Sequence, residues 1–492
     1  MNAKELLADI NVLNAAAYGM KGIDIKAVAS DSRDIKAGSV FVAVRGAAQD
    51  GHRFIQDAVD KNASAIVLED ANFLPRSKAP VPFILVKDSK DALVKIAGAF
   101  FGHPYRGIKC IGITGTNGKT TTSYLARGIL NAAGQKCALI GTIGYKIKDT
   151  NVPSSNTTPG VLELHELARE MALAGNKYIA MEVSSHAIHQ DRIAGMAFRA
   201  AIFTNLTQDH LDYHKDMEEY FSVKRRLFCD YAAPDSSLII NTDDCFGMRL
   251  YKDVRGKKIS YGYGESDVRV ERDVIEKSGS SARINTPAGS IDITTSLVGR
   301  HNIYNILAAV ALGLSEGVGL DVIRRGVESV GFVPGRLERI DSTRGFSVFI
   351  DYAHTDDALK NVLESLRSIL HNGRIITVFG CGGDRDKSKR PKMGAVAAAL
   401  SDHCILTSDN PRSEEPSDII SHIASGIVTK NFEVEIERMS AIRRAVKMAK
   451  GNDLVLVAGK GHETYQIVKD KISAFDDKEA VLECLREMEA HV

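Results

Sequence analysis

At 492 residues the chain exceeds what one hydrophobic core supports, so roughly two to four domains are expected. With 44% hydrophobic and 25% charged residues and a net charge of +1, it reads as globular and soluble, which argues against a nucleic-acid binder held by a broad basic field. No apolar run reaches membrane-spanning length, the stretch from Met1 to Asp9 carries early acids rather than a signal-peptide core, and seven scattered cysteines without a CxxC pair fit reduced thiols in a cytoplasm.

In chain order the pattern divides into three blocks. Residues 1–106 show short strand-like runs at 40–44, 65–68 and 83–86 with helical stretches between them, closed by Gly102-His103-Pro104. Residues 107–334 carry further runs at 108–113, 137–140, 178–183, 200–204 and 237–240, the earlier ones separated by helical patterns. That order predicts a parallel sheet covered by helices. After Val333-Pro334-Gly335, residues 335–492 alternate again: strands at 375–379, 404–407 and 454–457, and helices near 392–400, 418–428 and 441–449. The expected fold is α/β in three domains. A small N-terminal α/β domain precedes a central P-loop ATPase-like domain with a parallel sheet, and a Rossmann-like α/β domain follows.

The run Ile111-Gly112-Ile113-Thr114-Gly115-Thr116-Asn117-Gly118-Lys119-Thr120-Thr121 carries the most chemistry. An apolar strand ends in a glycine-containing loop, then a lysine and hydroxyls, then a helix on which Leu125, Ile129 and Leu130 share a face and Gly134 suits the C-terminal cap. Backbone N–H groups of such a loop cradle phosphate oxygens. Lys119 suits the outer phosphates, and the Thr120 hydroxyl suits Mg2+. The strict pattern places glycine where Ile113 stands, so an ordinary glycine turn is the competing reading.

Polar residues recur just after the strands, where open α/β sheets bind ligands. Glu182 and Ser184 follow one run, and Asn205, Asp209 and His210 another. In the last block Gly382-Gly383-Asp384-Arg385, Asp409-Asn410-Pro411-Arg412 and Gly459-Lys460-Gly461-His462-Glu463 follow three more. Glu182 and His210 are candidate metal groups, although a solvated helix-capping loop accounts equally for residues 204–214. Arg385, Arg412 and Glu463 suit a zwitterionic substrate, since arginine forks onto carboxylate and glutamate pairs with ammonium. Surface ion pairing and a simple turn at Asp409-Asn410-Pro411 are the alternatives. On pattern alone Lys224, in the helical stretch 219–228, is a solvated helix lysine.

At these residues the sequence resembles the Mur ligases, the ATP-dependent amino-acid-adding enzymes of peptidoglycan synthesis. The resemblance covers nearly the whole chain. It rests on Asp31-Ser32-Arg33, the phosphate loop, Asn156-Thr157-Thr158-Pro159, Glu182-Val183-Ser184-Ser185-His186, Asp209-His210-Leu211-Asp212, Gly299-Arg300-His301-Asn302-Ile303-Tyr304-Asn305, Pro334-Gly335-Arg336 and Asp351-Tyr352-Ala353-His354. Within the family, Asp409-Asn410-Pro411-Arg412 marks members that add meso-diaminopimelate as the third residue of the stem peptide. Diaminopimelate carries a carboxylate that lysine lacks, and leaving such a charge buried without its partner costs roughly 3–5 kcal/mol.

The resemblance implies a reaction and a set of residues. ATP phosphorylates the D-glutamyl γ-carboxylate of UDP-N-acetylmuramoyl-L-alanyl-D-glutamate, and the amine of diaminopimelate attacks the acyl phosphate. Gly115, Thr116, Asn117, Gly118, Lys119, Thr120, Thr121, Asn305, Arg336 and Asp351 match ATP contacts. Thr120, Glu182, His210 and Lys224 match metal-associated positions for Mg2+, Lys224 as a carbamate, and Lys119, Lys224, His210 and Glu182 match the catalytic set. Ser30, Ser32, Asn156, Thr157, Thr158, Ser184, Gln190 and Arg192 match contacts to the UDP-precursor. Arg385, Asp409, Asn410, Pro411, Arg412, Gly459 and Glu463 match the diaminopimelate site. The first block is expected to hold the uridine end, with Ala47-Ala48-Gln49 its least diagnostic stretch. The expected partners are these small molecules only, with no nucleic acid and no membrane insertion, for a cytoplasmic monomer. The competing readings are a lysine-adding relative, a folylpolyglutamate synthetase-like ligase, and a catalytically silent nucleotide- or precursor-binding protein. Arg412 argues against the first, Asp31-Ser32-Arg33 against the second, and Lys119, Glu182, His210 and Lys224 together against the third.

Overall fold

Four short strands open the structure: Ala27–Ala29, Ser39–Val42, Ala65–Leu68 and Phe83–Leu85, paired in parallel in that order. Ser39–Val42 and Ala65–Leu68 are buried along their whole length, as continuous apolar runs in a sheet covered on both faces must be. The helix Ser89–Phe100 is capped by Asp88, which accepts from the N–H groups of Lys90 and Asp91, and it buries Ala92, Leu93 and Ile96. The computed structural model describes residues 1–14, 22–46, 49–76, 79–147, 150–154 and 156–490, so Ala47 and Ala48 of the expected uridine-end stretch lie outside the described residues.

By contact density the chain divides into two units. The first comprises residues 1–112, 135–200 and 226–236. Besides the four-stranded sheet it contains Cys137–Gly141, paired in parallel with Tyr178–Glu182 and antiparallel with Gly144–Ile147, which continues to Thr150–Val152. The connecting helix Val161–Leu173 buries Leu164, Leu167, Ala168 and Met171.

The second unit comprises residues 113–134, 201–225 and 237–492. Here the helix Lys119–Ala132 follows the phosphate loop, with Leu125, Ile129 and Leu130 fully buried and Gly134 at φ +74°, as the pattern predicts. Ala232–Asn241 pairs in parallel with Lys257–Gly262, and that strand in parallel with Val268–Glu276. Two antiparallel partners, Gly279–Thr286 and Gly289–Thr295, extend this sheet. They are an addition to the expected parallel arrangement. Along them Ala282, Ile284, Ile291 and Ile293 are buried and alternate with more exposed residues such as Arg283 and Asp292, as in a sheet with one face open to water.

The last block carries a six-stranded sheet in the order Glu338–Asp341, Ser347–Asp351, Leu454–Ala458, Ile375–Phe379, His403–Leu406, Phe432–Val434. Only the first pair is antiparallel. Helices Asp356–Ile369, Lys389–Leu400 and Pro416–Ala424 cover one face, and Arg438–Met448 and Asp477–Ala490 the other. The three central strands are buried throughout. The loops after Ile375–Phe379, His403–Leu406 and Leu454–Ala458 therefore emerge together at the carboxyl edge of the sheet, where a doubly covered sheet places its ligand site.

Candidate active site

The phosphate loop joins the strand Lys109–Thr114 to the helix Lys119–Ala132. Gly115 and Gly118 take φ of +150° and +85°. A Cβ at Gly115 would overlap Thr204 Oγ1, and one at Gly118 would overlap Asn305 Oδ1, so both positions require glycine. Ile113 is the last-but-one residue of the strand and is fully buried, so extended backbone at this position makes no demand for glycine. Gly118 is also the N-cap and offers no side-chain acceptor to the helix N–H groups. Such an end is built for an anion.

The loop is braced from neighbouring turns. Thr204 Oγ1 donates to Asn117 O at 2.6 Å, and Asn205 Oδ1 accepts from Asn117 N at 2.9 Å. Thr116 N donates to Asn205 O, and Thr116 Oγ1 to Thr207 O at 3.2 Å. Asp357, from the last block, accepts from Asn117 Nδ2 and Thr207 Oγ1, each at 3.0 Å. Lys119 Nζ folds back onto Gly115 O at 2.9 Å and Thr116 O at 2.8 Å. Asn205 was visible as a polar residue after a strand. Thr204, Thr207 and Asp357 carried no signal, because a hydroxyl or carboxylate that bonds backbone at long range looks like any loop residue.

The other expected nucleotide groups meet this loop. Asn305 Oδ1 accepts from Thr122 Oγ1 at 3.3 Å. Arg336 NH2 donates to Thr120 Oγ1 at 2.9 Å, while its Nε is buried with no acceptor among the described residues. Asp351 accepts from Leu337 N at 2.6 Å and Ala353 N at 2.8 Å. Burial pushes its carboxyl up to about 6, against the pull of Arg336 and these two N–H groups. Thr121 is buried in the first turn of the helix.

Lys224 corrects the solvated-helix reading: its side chain is 1% exposed. Nζ donates to Gly115 O at 3.0 Å and Thr114 Oγ1 at 3.4 Å and lies 4.7 Å from the centre of the Tyr220 ring. The residues beside it on the helix Met217–Cys229, Glu218, Glu219, Arg225 and Arg226, gave a charged appearance that hid its direction. Burial, and then the charge of Lys119, push its ammonium well below the usual lysine range, with Asp209 opposing. His210 has φ +55° and sits 3.4 Å from Asp209 Oδ2. Burial raises Asp209, but His210, His354 and Lys389 outweigh it and hold the carboxyl below its usual range. The His210 ring stands 6.1 Å from Tyr220, whose hydroxyl meets Thr116 Oγ1 at 3.3 Å. Tyr220 thus links the histidine, the lysine and the loop, and no sequence pattern marked it.

In the first unit, Glu182 is 1% exposed and held at both oxygens by Thr142, from N at 2.9 Å and from Oγ1 at 3.0 Å. Thr142 Oγ1 also meets Thr157 Oγ1 at 3.0 Å. Thr158 Oγ1 donates to Glu182 O at 2.8 Å and accepts from Ser184 N at 3.0 Å. Arg192 bonds Gln190 Oε1 through Nε and NH2 and Thr158 O through NH1. Thr157, Thr158, Ser184, Gln190 and Arg192, expected to meet the precursor, are therefore one hydrogen-bonded group through Glu182, with Thr142 an addition to it. Asn156 is exposed beside it. Ser30 and Ser32 lie apart on a short turn, where Asp31 caps Arg33 N and pairs with its guanidinium at 2.5 Å, and Lys61 Nζ donates to Ser32 O at 2.6 Å. Among the described residues no cluster of three or more His, Cys, Asp or Glu side chains is gathered as a metal site.

At the carboxyl edge of the last sheet, Asp409 and Asn410 are buried, which a plain surface turn would not require. Asn410 Nδ2 donates to Glu463 Oε2 at 2.7 Å, and its Oδ1 accepts from Lys460 Nζ at 3.2 Å and Ile467 N at 3.0 Å. Gly459 adjoins Asp409, since a Cβ there would lie 2.5 Å from Asp409 Oδ2. Arg412, at φ +51°, follows Pro411 and donates to Gly383 O at 2.8 Å. Arg385 is exposed and lines a cavity of about 460 Å³ with Asp212, Asp384, Lys387, Ser413 and Glu414. Glu414 accepts from the fully buried Arg390 at 2.8 Å and 2.9 Å, and that pairing, ahead of any burial, draws its carboxyl down to about 2. Glu414, which lines this cavity, and Arg390, which holds it from behind, went unmarked by any motif.

Three family models match the chain: Mur ligase family, catalytic domain, over residues 24–101; Mur ligase middle domain, over 113–313; and Mur ligase, glutamate ligase domain, over 335–461. Among curated relatives, UDP-N-acetylmuramoyl-L-alanyl-D-glutamate--2,6-diaminopimelate ligases of Geobacter metallireducens and Clostridium tetani are 43% and 41% identical. The alignments cover 99% of this chain in both cases and 99% and 100% of the relatives. A solved structure of a ligase with the same name superposes with a TM-score of 0.69 at 28% identity, covering 99% of each chain. A MurF ligase from Thermotoga maritima, solved with ADP, shares the fold with a TM-score of 0.62 at 20% identity, over 96% of this chain and 100% of that one. With matched models along most of its length and full-length relatives above two-fifths identity, the chain belongs to the Mur ligase family.

Proposed function

We propose that the chain uses ATP to join meso-diaminopimelate to the D-glutamyl γ-carboxylate of UDP-N-acetylmuramoyl-L-alanyl-D-glutamate in peptidoglycan synthesis. The names of the full-length relatives support the reaction. The observation that carries the choice of amine is the presence of both signs of charge on the loops at the sheet edge: Arg412, Asp409 and Glu463, all buried or partly buried. A zwitterionic head needs both signs at once, and an arginine fork suits its carboxylate. Asn410, Pro411, Gly459 and Arg385 complete this site in the proposal.

The proposed residue roles come from the family resemblance, and the geometry above supports them in part. The N–H groups after Gly118 and the Lys119 ammonium take the phosphates, and Arg336, with its uncommitted Nε, adds a second cation for charge moving to the leaving ADP. Gly115, Thr116, Asn117, Thr121, Asn305 and Asp351 shape the nucleotide site. The hydroxyl of Thr120, the carboxylate of Glu182, His210 and carbamylated Lys224 would hold Mg2+, and the hard oxygens of this set fit an ion that fills its remaining positions with phosphate and water. When bound, Mg2+ neutralises phosphate charge. Lys224 suits carbamylation because only a neutral amine attacks CO2, and burial beside Lys119 favours the neutral form. Ser30, Ser32, Asn156, Thr157, Thr158, Ser184, Gln190 and Arg192 take the UDP-precursor. An acyl phosphate is the proposed intermediate, because a carboxylate is a poor electrophile.

The proposed division is residues 1–106 for the precursor, 107–334 for ATP and 335–492 for the amino acid, in keeping with the spans of the three family models. We place the protein in the cytoplasm as a monomer acting on small molecules. No helix of the described residues is long and apolar enough to cross a membrane. The direct test is Arg412→Gln. Truncating one side of a desolvated charge pair costs roughly 2–5 kcal/mol, so KM for meso-diaminopimelate should rise by more than about tenfold while KM for ATP holds. An unchanged KM for the amino acid removes Arg412 from the site.

A further inference from the structure

Lys460 belongs to none of the residue sets above, yet it is a fully enclosed cation at the amino-acid end. Its side chain is 0% exposed. Nζ lies 3.2 Å from Glu463 Oε2 and 3.2 Å from Asn410 Oδ1, and 5.5 Å from the centre of the Tyr465 ring. Asn410 in turn gives its Nδ2 to the same Glu463 oxygen at 2.7 Å and takes Ile467 N on Oδ1 at 3.0 Å. One buried cation thus sets the direction of the Asn410 amide and holds the Glu463 carboxylate, through a closed set of short bonds. An ion buried this fully is retained only where every partner is satisfied, and here both partners are groups of the proposed substrate site.

We infer that Lys460 is a positioning residue for amino-acid recognition: it keeps Glu463 ionised and Asn410 oriented so that the substrate ammonium meets an acceptor and not a donor. The inference rests on the functional reading above. Its physical basis is the crowding of like charge. Burial and the neighbouring Asp409 push the Glu463 carboxyl upward, and Lys460, with Asn410, opposes them. The other titratable groups facing Glu463 are Tyr352, from the turn after Ser347–Asp351, Tyr465, from the antiparallel hairpin of Tyr465–Val468 and Lys471–Ala474, and Arg438, from the helix Arg438–Met448. Arg438 is committed to Asp477 at 2.7 Å and to the carbonyls of Ser408 and Ala458, so Lys460 is the cation in hydrogen-bond contact with Glu463. Without it the burial and the Asp409 charge that push Glu463 upward go unopposed by a cation in contact, and a protonated Glu463 presents an O–H to an incoming ammonium.

The test is steady-state kinetics on the full chain with ATP, UDP-precursor and meso-diaminopimelate, from about pH 6.5 to about pH 8.5. Losing a nearby opposite charge raises a carboxyl further, so Lys460→Met should raise KM for meso-diaminopimelate about tenfold or more at the acid end, with the penalty shrinking as pH rises. KM for ATP should hold, and Lys460→Arg should restore most of the affinity. In a Glu463→Gln background Lys460→Met should add little and the pH dependence should vanish. Should Lys460→Met fail to fold, Lys460→Gln carries the same expectation. A KM that is unchanged, or raised equally at every pH, overturns the inference. A wild type that makes no amide with meso-diaminopimelate overturns the functional reading and the inference with it, whereas normal wild-type turnover beside an unaffected Lys460→Met overturns the inference alone.

Discussion

Two lysines, close in charge and opposite in exposure to sequence reasoning, set the chemistry at the phosphate loop. Lys119 lies where the motif puts it, and its ammonium rests on Gly115 O and Thr116 O. Lys119→Ala should lower kcat by about 10²–10³-fold, the scale of one preorganised charge-stabilising donor, while binding of the UDP-precursor persists. Kinetics paired with calorimetric titration of the precursor separates the two effects. Lys224 shows the limit of pattern reading: helical spacing made it a surface residue, and only the resemblance gave it a role. Its burial between Tyr220 and Gly115 O comes from packing across distant segments, which periodicity does not encode. In isotopically labelled bicarbonate, wild-type protein should show a carbamate carbonyl by NMR that Lys224→Met lacks. Glu182 stood out from its place at the end of a strand, whereas Asn305, Arg336 and Asp351 entered only through the resemblance. Thr142, Thr207, Tyr220 and Asp357 were not, since their parts depend on contacts that form only in the fold.

Strands and helices with uniform burial were the legible elements. Ala65–Leu68 and Ile375–Phe379 are continuous apolar runs buried on both faces, and their limits follow the hydrophobic pattern residue for residue. The hairpin strands between Val268 and Thr295 escaped although their positions alternate, as in Gly289–Thr295, where Ile291 and Ile293 are buried and Ser290 and Asp292 are exposed. The ion pair Arg438–Asp477 escaped as well. Both side chains are 0% exposed, and they join the helix Arg438–Met448 to the start of the helix Asp477–Ala490. Arg438 also ties the carbonyls of Ser408 and Ala458, the residues before Asp409 and Gly459. Asp477→Asn should therefore destabilise by about 3–5 kcal/mol, the usual cost of stranding one partner of a buried pair. Chemical denaturation of the variant beside wild type checks it, and a loss within error of zero would mean that the pair is not the joint between these helices.

For the whole molecule, buried titratable groups set how stability depends on pH. Burial pushes His301 and His354 down to about 4. Between that value and the ordinary histidine range the unfolded chain binds protons that the folded chain refuses, so each histidine makes stability fall as pH drops through this window. Asp351 acts the other way: raised to about 6, it keeps a proton in the fold that the unfolded chain has released. His165, also lowered by burial, adds to the two histidines, while Asp244, Asp357 and Glu463, raised by burial, join Asp351 in offsetting part of their loss of stability on acidification from about pH 6.5 to about pH 4. Melting temperatures across this range should fall, and His301→Gln should flatten the slope. The three-block order was legible at this scale because turns such as Val333-Pro334-Gly335 interrupt otherwise regular α/β alternation.

The central claim is the choice of amine. Purified protein with ATP, Mg2+ and UDP-N-acetylmuramoyl-L-alanyl-D-glutamate should be given meso-diaminopimelate, L-lysine or no amino acid, with phosphate release followed and product mass checked in each case. The account predicts phosphate release and a new amide with meso-diaminopimelate and neither with lysine. Equal turnover with lysine would contradict the part given to Arg412, and no amide with either amine, from folded protein that binds ATP, would contradict the function itself.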